Sequence, residues 1–224
     1  MDLLHLDKPI ATVAFLGDSI TEGCGASTRE NGFVGVIARE WPDVRVLNYG
    51  IGGTRIARSE YPGAKPQYDQ CFLDRVDGVD PDADVVVVFG GTNDFGHGNG
   101  KLGTPEDGPE SEYTFYGALR SLCLRLLRRY PKARIVFMTP LHRKSENATT
   151  NEIGLPCHPL RDYVNAIKEV SAEFSFPVLD LFATAGIQPA IQEQREAFCP
   201  DGLHPNDAGA RRLADRVIAF LGTL

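Results

Sequence analysis

The chain has 224 residues, a formal net charge of −7, and is 42% hydrophobic and 24% charged. That length suits one α/β domain over residues 1–224, with enough chain to bury a sizeable core. The acidic balance, with no basic cluster beyond Arg125, Arg128 and Arg129, argues against nucleic acid as a partner, and those arginines read as an exposed helical face.

The N-terminal stretch carries Asp2, His5 and Asp7 where a signal peptide needs a basic start and a long apolar run. Apolar residues 10–16 are too few to cross a bilayer. Cys24, Cys71, Cys123, Cys157 and Cys199 show no CxxC spacing and read as reduced thiols. Together these features predict a cytoplasmic protein without membrane insertion. They leave the oligomeric state open.

In chain order, residues 11–16, 44–47, 85–89, 135–138 and 178–181 are short runs rich in valine and isoleucine. They do not alternate with polar residues, as expected of parallel strands covered on both faces. Residues 55–82 show little pattern and are expected to wrap the sheet edge with short helical turns. Helical spacing follows in Phe115, Leu119, Leu122 and Leu126, again in Leu160, Val164, Ile167 and Val170, and last in Leu213, Val217 and Leu221. Trp41 closes another predicted helix, and Asn206 or Asp207 is placed to cap the last one. Segments 96–111 and 141–156 are long loops rich in breakers, a kind that is often functional. The alternation predicts a three-layer α/β/α sandwich around a central five-stranded parallel sheet.

In such sheets ligands sit beyond the carboxyl ends of the strands. Four polar segments are predicted at that edge: Ser19 after the first strand, Asn48 to Thr54 after the second, Gly90 to Asp94 after the third, and Asp201 to Pro205 before the last helix. Asp201 and His204 lie three apart, so the carboxylate can fix the imidazole tautomer while the far ring nitrogen faces Ser19. The backbone N–H groups of Ser19 and Gly53 and the Asn93 amide are the candidate donors to an oxyanion. Taken singly, each segment also reads as a turn or a helix stop. Their convergence on one edge carries the argument.

The chain resembles the SGNH hydrolase superfamily, also called the GDSL-type esterases and lipases. The likeness rests on Gly17-Asp18-Ser19 with Ile20 and Thr21, on Asn48 with Gly53, on Gly91-Thr92-Asn93-Asp94, and on Asp201 with His204, in that order along nearly the whole chain. It implies a flavodoxin-like fold and a serine esterase without a metal or other cofactor. It leaves the substrate open. The serine is not the nucleophile elbow of the α/β-hydrolases, because Thr21 stands where that motif needs its second glycine.

The expected activity is hydrolysis of a small-molecule O-acyl ester, short-chain and acetyl esters first, with a carbohydrate as a candidate alcohol. An acyl-CoA or other thioester, or a lysophospholipid, is the alternative for the same site. A binding protein of flavodoxin type is the third reading, and it leaves Asn93, Asp201 and His204 unexplained. Asp18, Phe95 and His97 are the candidate substrate-binding residues, with Arg55 and Arg143 as further cleft candidates. Asp18 and Asp94 are also expected to accept hydrogen bonds from loop amides. His97, His142 and His158 lie in separate loops without ligand spacing, so no metal site is expected. Cys24 and Cys199 flank the expected site as free thiols.

Overall fold

A computed structural model describes residues 10–63 and 65–224. Residues 1–9, on which the leader reading rests, lie outside the described residues.

Five parallel strands form one sheet in the order β2-β1-β3-β4-β5. They are β1 (Thr12–Gly17), β2 (Arg45–Gly50), β3 (Val85–Phe89), β4 (Arg134–Met138) and β5 (Val178–Leu179). The helices are α1 (Ser19–Glu22), α2 (Phe33–Glu40), α3 (Phe72–Arg75), α4 (Thr92–His97), α5 (Phe115–Arg129), α6 (Leu160–Glu173), α7 (Leu181–Thr184), α8 (Gln192–Phe198) and α9 (Asp207–Leu221).

Side chains alternate across each strand, and the sheet sorts its residues into two cores. Ala14, Leu16, Val86, Val88, Ile135 and Phe137 face α3, α5 and α6, where Phe72, Leu119, Leu122, Tyr163 and Ile167 are buried. Val13, Phe15, Val85, Val87, Val136 and Met138 face α2 and α9, where Phe33, Ile37, Leu213 and Val217 are buried. Helices on both faces explain why the strand sequences read as continuous apolar runs. The architecture is the three-layer α/β/α sandwich of flavodoxin type.

Two strand boundaries and one surface assignment differ from the sequence reading. β2 runs on to Gly50 and is only half-buried, because it is an edge strand. β5 stops after Leu179, since Asp180 caps α7 by accepting the Ala183 N–H at 3.1 Å and Leu181 becomes helical. Arg125 and Arg129 are not free surface charges. The first bonds Glu112 at 2.7 Å, and the second donates to the carbonyls of Asp77 and Val79 at 2.8 and 3.0 Å. Among its described residues, segment 55–82 carries short turns only: 3₁₀ turns at Pro66–Asp69 and Val76–Gly78, with the four-residue α3 between them.

Register aligns the strand ends. Gly17 lies opposite both Gly50 and Phe89, so the segments leaving β1, β2 and β3 emerge side by side.

Candidate active site

β1 turns directly into α1, with Asp18 as its N-cap: Asp18 Oδ1 accepts the Ile20 N–H at 3.0 Å. The turn is tight. A Cβ on Gly17 would lie 2.0 Å from Thr21 Oγ1, so the first position of the motif excludes any side chain. Ser19 thereby opens a helix at the carboxyl end of a central strand.

The segment before α9 brings His204 to it. His204 Nε2 lies 2.9 Å from Ser19 Oγ, and Nδ1 lies 2.7 Å from Asp201 Oδ2. A carboxylate accepts only, so it selects the Nδ1–H tautomer and leaves Nε2 to accept the Ser19 hydroxyl proton. Asp201 Oδ1 also accepts the backbone N–H groups of Leu203 and His204 at 2.8 and 2.7 Å. Partial burial pushes the Asp201 carboxyl up, but its bonds from His204 and Leu203 outweigh this and hold it below the ordinary carboxylate value.

Across from His204, the loop after β2 and the start of α4 meet. Asn93 Nδ2 donates to Thr54 O at 2.9 Å, which leaves the second amide hydrogen for a ligand. The Gly52 N–H is taken by Glu22 Oε2 at 2.6 Å, whereas Gly53 borders the cleft with φ +77°. Glycine is required there by more than its dihedral angle, since the Tyr68 ring occupies the place a Cβ would take, 2.2 Å from its Cδ1. Asn48 ties this loop to α1 by donating to Thr21 O at 2.7 Å.

Ser19, Gly53, Asn93 and His204 open into a cleft of about 460 Å³. Its walls include Tyr68, His97 and Leu203 and four charged side chains, Glu22, Lys65, Arg143 and Glu152. Such an array can take a proton from a serine, hold a carbonyl oxygen and return the proton to a leaving group.

The family model described as the GDSL-like lipase/acylhydrolase family matches residues 15–212. The chain belongs to this family. Like its fellow members, this GDSL-like acylhydrolase is a carboxylic ester hydrolase. It is 29% identical to a GDSL lipase of Mycobacterium tuberculosis, over 97% of this chain and 84% of the relative. A crystal structure of a Lactobacillus plantarum protein is 33% identical with a TM-score of 0.81, covering 96% of this chain and 97% of that one. An acetyl xylan esterase, 20% identical with a TM-score of 0.60 over 93% of this chain and 98% of its own, shares the fold.

Not every expected residue of the acylhydrolase reaches the cleft. His97 does, and so does Arg143. Asp18 is buried beneath Ser19 and does not line the cleft, being consumed by its capping bond. Phe95 is also buried, its ring edge-on to Tyr163 at 6.1 Å and roofed by the Arg143 guanidinium at 5.2 Å. It follows Asn93 by two residues, on the core side of α4. Arg55 is buried behind His97, donating to its carbonyl at 3.3 Å. Cys24 is at the rim, where partial desolvation and the facing Glu22 carboxylate push its thiol up, so it is a weak nucleophile at neutral pH. Cys199 is buried and does not line the cleft. His142 bonds Glu146 at 2.7 Å, and no group of three potential metal ligands occurs among the described residues.

Other contributors carry no motif signal. Arg75 on α3 donates to Gly17 O at 3.0 Å, to Thr54 Oγ1 at 2.8 Å and to Tyr49 O. One guanidinium thus joins the ends of β1 and β2 to the loop that carries Gly53. Arg143 donates to Thr92 O at 3.1 Å and so steadies the peptide before Asn93. His97 Nε2 meets Gly53 O at 2.9 Å. The carbonyl only accepts, so Nε2 is the donor, and burial lowers the His97 pKa from its ordinary value. These residues come from unpatterned segments, and only the folded chain brings them to the strand ends.

Proposed function

We propose that this protein cleaves short-chain O-acyl esters, acetyl esters among them, of polar and carbohydrate-like alcohols, through an acyl-enzyme on Ser19. The observation that carries the reading is the unbroken chain of contacts from Asp201 through His204 to Ser19, with Asn93 and Gly53 lining the same cleft. In the proposed path His204 Nε2 removes the Ser19 proton as Oγ attacks the ester carbonyl. The carbonyl oxygen, now an oxyanion, is met by the N–H groups of Ser19 and Gly53 and by the free Asn93 amide hydrogen. The imidazolium, stabilised by Asp201, then protonates the leaving alkoxide as the C–O bond breaks. Water repeats the cycle on the acyl-enzyme, with His204 as base and Ser19 as leaving group.

Polar and charged walls favour a hydrated alcohol over a long hydrocarbon chain, which would have to displace water from those charges. An acyl-CoA would call for a basic rim, and here Lys65 and Arg143 are matched by Glu22 and Glu152. Neither the thioester nor the lysophospholipid alternative gains a specific contact.

The test is a panel of p-nitrophenyl esters from acetate to palmitate, run beside acetylated sugars and acyl-CoAs, on wild type and Ser19→Ala. Wild type is expected to turn over the acetyl esters and to be labelled once by a fluorophosphonate. Ser19→Ala is expected to lose both, with turnover down on the order of 10⁶-fold, while its circular dichroism spectrum is retained. Equal labelling of the two proteins would move the nucleophile elsewhere.

A further inference from the structure

The proposed reaction leaves one wall of the cleft without a role. Tyr68, on the 3₁₀ turn Pro66–Asp69, lies half-buried with its ring against the Cα of Gly53. His97 stands beside it, ring centroids 5.8 Å apart at 31°, and bonds the Gly53 carbonyl at 2.9 Å. Lys65 Nζ sits 5.9 Å from the centre of the Tyr68 ring. The two rings and the glycine therefore form one packed unit, capped on the outside by a charge.

The chemistry of attack assigns the sides of the cleft. The leaving oxygen must come within reach of His204 Nε2 to be protonated, so the alcohol lies on the His204 side, next to Leu203. The oxyanion turns to Gly53 and Asn93. The acyl chain is left to run away from His204, where the ring surfaces lining the cleft are those of Tyr68 and His97. The same cleft is lined by Lys65, Arg143 and Glu152, whose desolvation opposes burial of more methylenes.

We infer, resting on the reading of this protein as a Ser19 esterase, that the Tyr68 ring seated against Gly53 closes the acyl side of the cleft and restricts it to short chains. Tyr68 is a specificity-determining residue: it touches the acyl group and sets its length. A glycine at 53 is what lets the ring sit this close. Any side chain there would push the ring outward and open the stop.

The experiment compares kcat/KM for p-nitrophenyl acetate, butyrate, hexanoate and octanoate in wild type, Tyr68→Phe, Tyr68→Leu and Tyr68→Ala. Wild type and Tyr68→Phe are expected to share one steeply falling profile, because the ring and not the hydroxyl is the stop. Tyr68→Ala is expected to raise the hexanoate-to-acetate ratio at least about tenfold, the scale on which a pocket discriminates one or two methylenes. Tyr68→Leu should move it the same way by less, and acetate turnover should persist in all. An unchanged ratio in Tyr68→Ala and Tyr68→Leu, with acetate still hydrolysed, overturns this inference alone. A shift in Tyr68→Phe as large as that in Tyr68→Ala overturns the ring as the stop. Wild type without turnover of any ester, and without labelling at Ser19, overturns the esterase reading and this inference with it.

Discussion

Asn93 shows how much one side chain at a strand end is asked to do. Its amide donates one hydrogen to Thr54 O and has the other directed at chemistry in the proposed path. Asn93→Ala is expected to lower kcat by about 10²–10³-fold, the usual loss for one oxyanion donor, with KM little changed, since the bond is made mainly in the transition state. Asn93→Asp is expected to be at least as damaging. Its carboxylate would face the developing negative charge and would also oppose the Thr54 carbonyl where the amide now donates at 2.9 Å. The variant should therefore lose melting temperature as well as kcat. Steady-state kinetics with thermal unfolding on both variants checks this, and near-normal kcat in either would take Asn93 out of the oxyanion hole.

Among the elements, α9 has a cap that doubles as an anchor for the His204 segment. Asn206 Oδ1 accepts the Gly209 N–H at 3.0 Å, and Asn206 Nδ2 donates to Ala197 O at 3.0 Å at the end of α8. Two orphan groups at helix ends are satisfied by one side chain. Asn206→Ala is expected to destabilise the fold by about 1–2 kcal/mol, the upper range for a lost cap. Asn206→Asp should restore much of it, because it keeps the accepting oxygen. The folded variant should keep kcat, since Asp201 holds His204 independently of the cap. Urea unfolding followed beside turnover separates the two effects, and a loss of kcat without a loss of stability would contradict this division. The sequence places a cap at 206 or 207. The structure divides the pair: Asp207 instead accepts the Ser27 N–H and hydroxyl, both at 2.7 Å, and fastens the loop after α1 to the start of α9.

For the molecule as a whole, the site is built over two buried carboxyls that lie between the sheet ends and the loops. Burial pushes Asp18 up from 3.8 to about 7, against its bond from Ile20, and the Asp94 carboxyl adds to the rise. Burial likewise pushes Asp94 up to about 6, although it accepts the N–H groups of Ile56 and Ala57 at 3.0 and 2.8 Å. A carboxyl raised in the folded state favours folding while it is protonated. Its contribution is complete below the unfolded value near 3.8 and is lost as pH rises through about 7. Across that window each pH step costs the fold at most about 1.4 kcal/mol for one such carboxyl. Carboxylates held low, such as Asp74 and Asp201, act in the opposite sense and at more acid pH. Asp18→Asn keeps an oxygen for the Ile20 N–H and removes the titration. Its unfolding free energy is therefore expected to fall less than that of wild type between pH 4 and pH 7, and urea midpoints measured across that range check the difference. Parallel curves for the two proteins would mean that Asp18 ionises without cost to the fold.

Much of this molecule was legible from the chain alone, for reasons of local physics. A strand covered on both faces has to be apolar throughout, so β1, β3 and β4 stand out in the sequence, and helices laid on a sheet show their stripe. Motif residues are legible where several constraints fall on one position: Gly17 has no room for a Cβ, and Asp201 and His204 need a spacing of three for one carboxylate to reach ring and backbone together. What the chain could not show was decided by tertiary contact. The length of β2, the end of β5 and the place of Phe95 depend on which neighbour covers them. Arg75, Glu22 and Tyr68 carried no sequence signal for the site, and each gains its place only when parallel strands in register bring 17, 50 and 89 abreast. A buried arginine satisfied by carbonyls, or an aromatic ring filling the space of a missing side chain, is a relation between residues far apart in the chain, and it exists only once the sheet has formed.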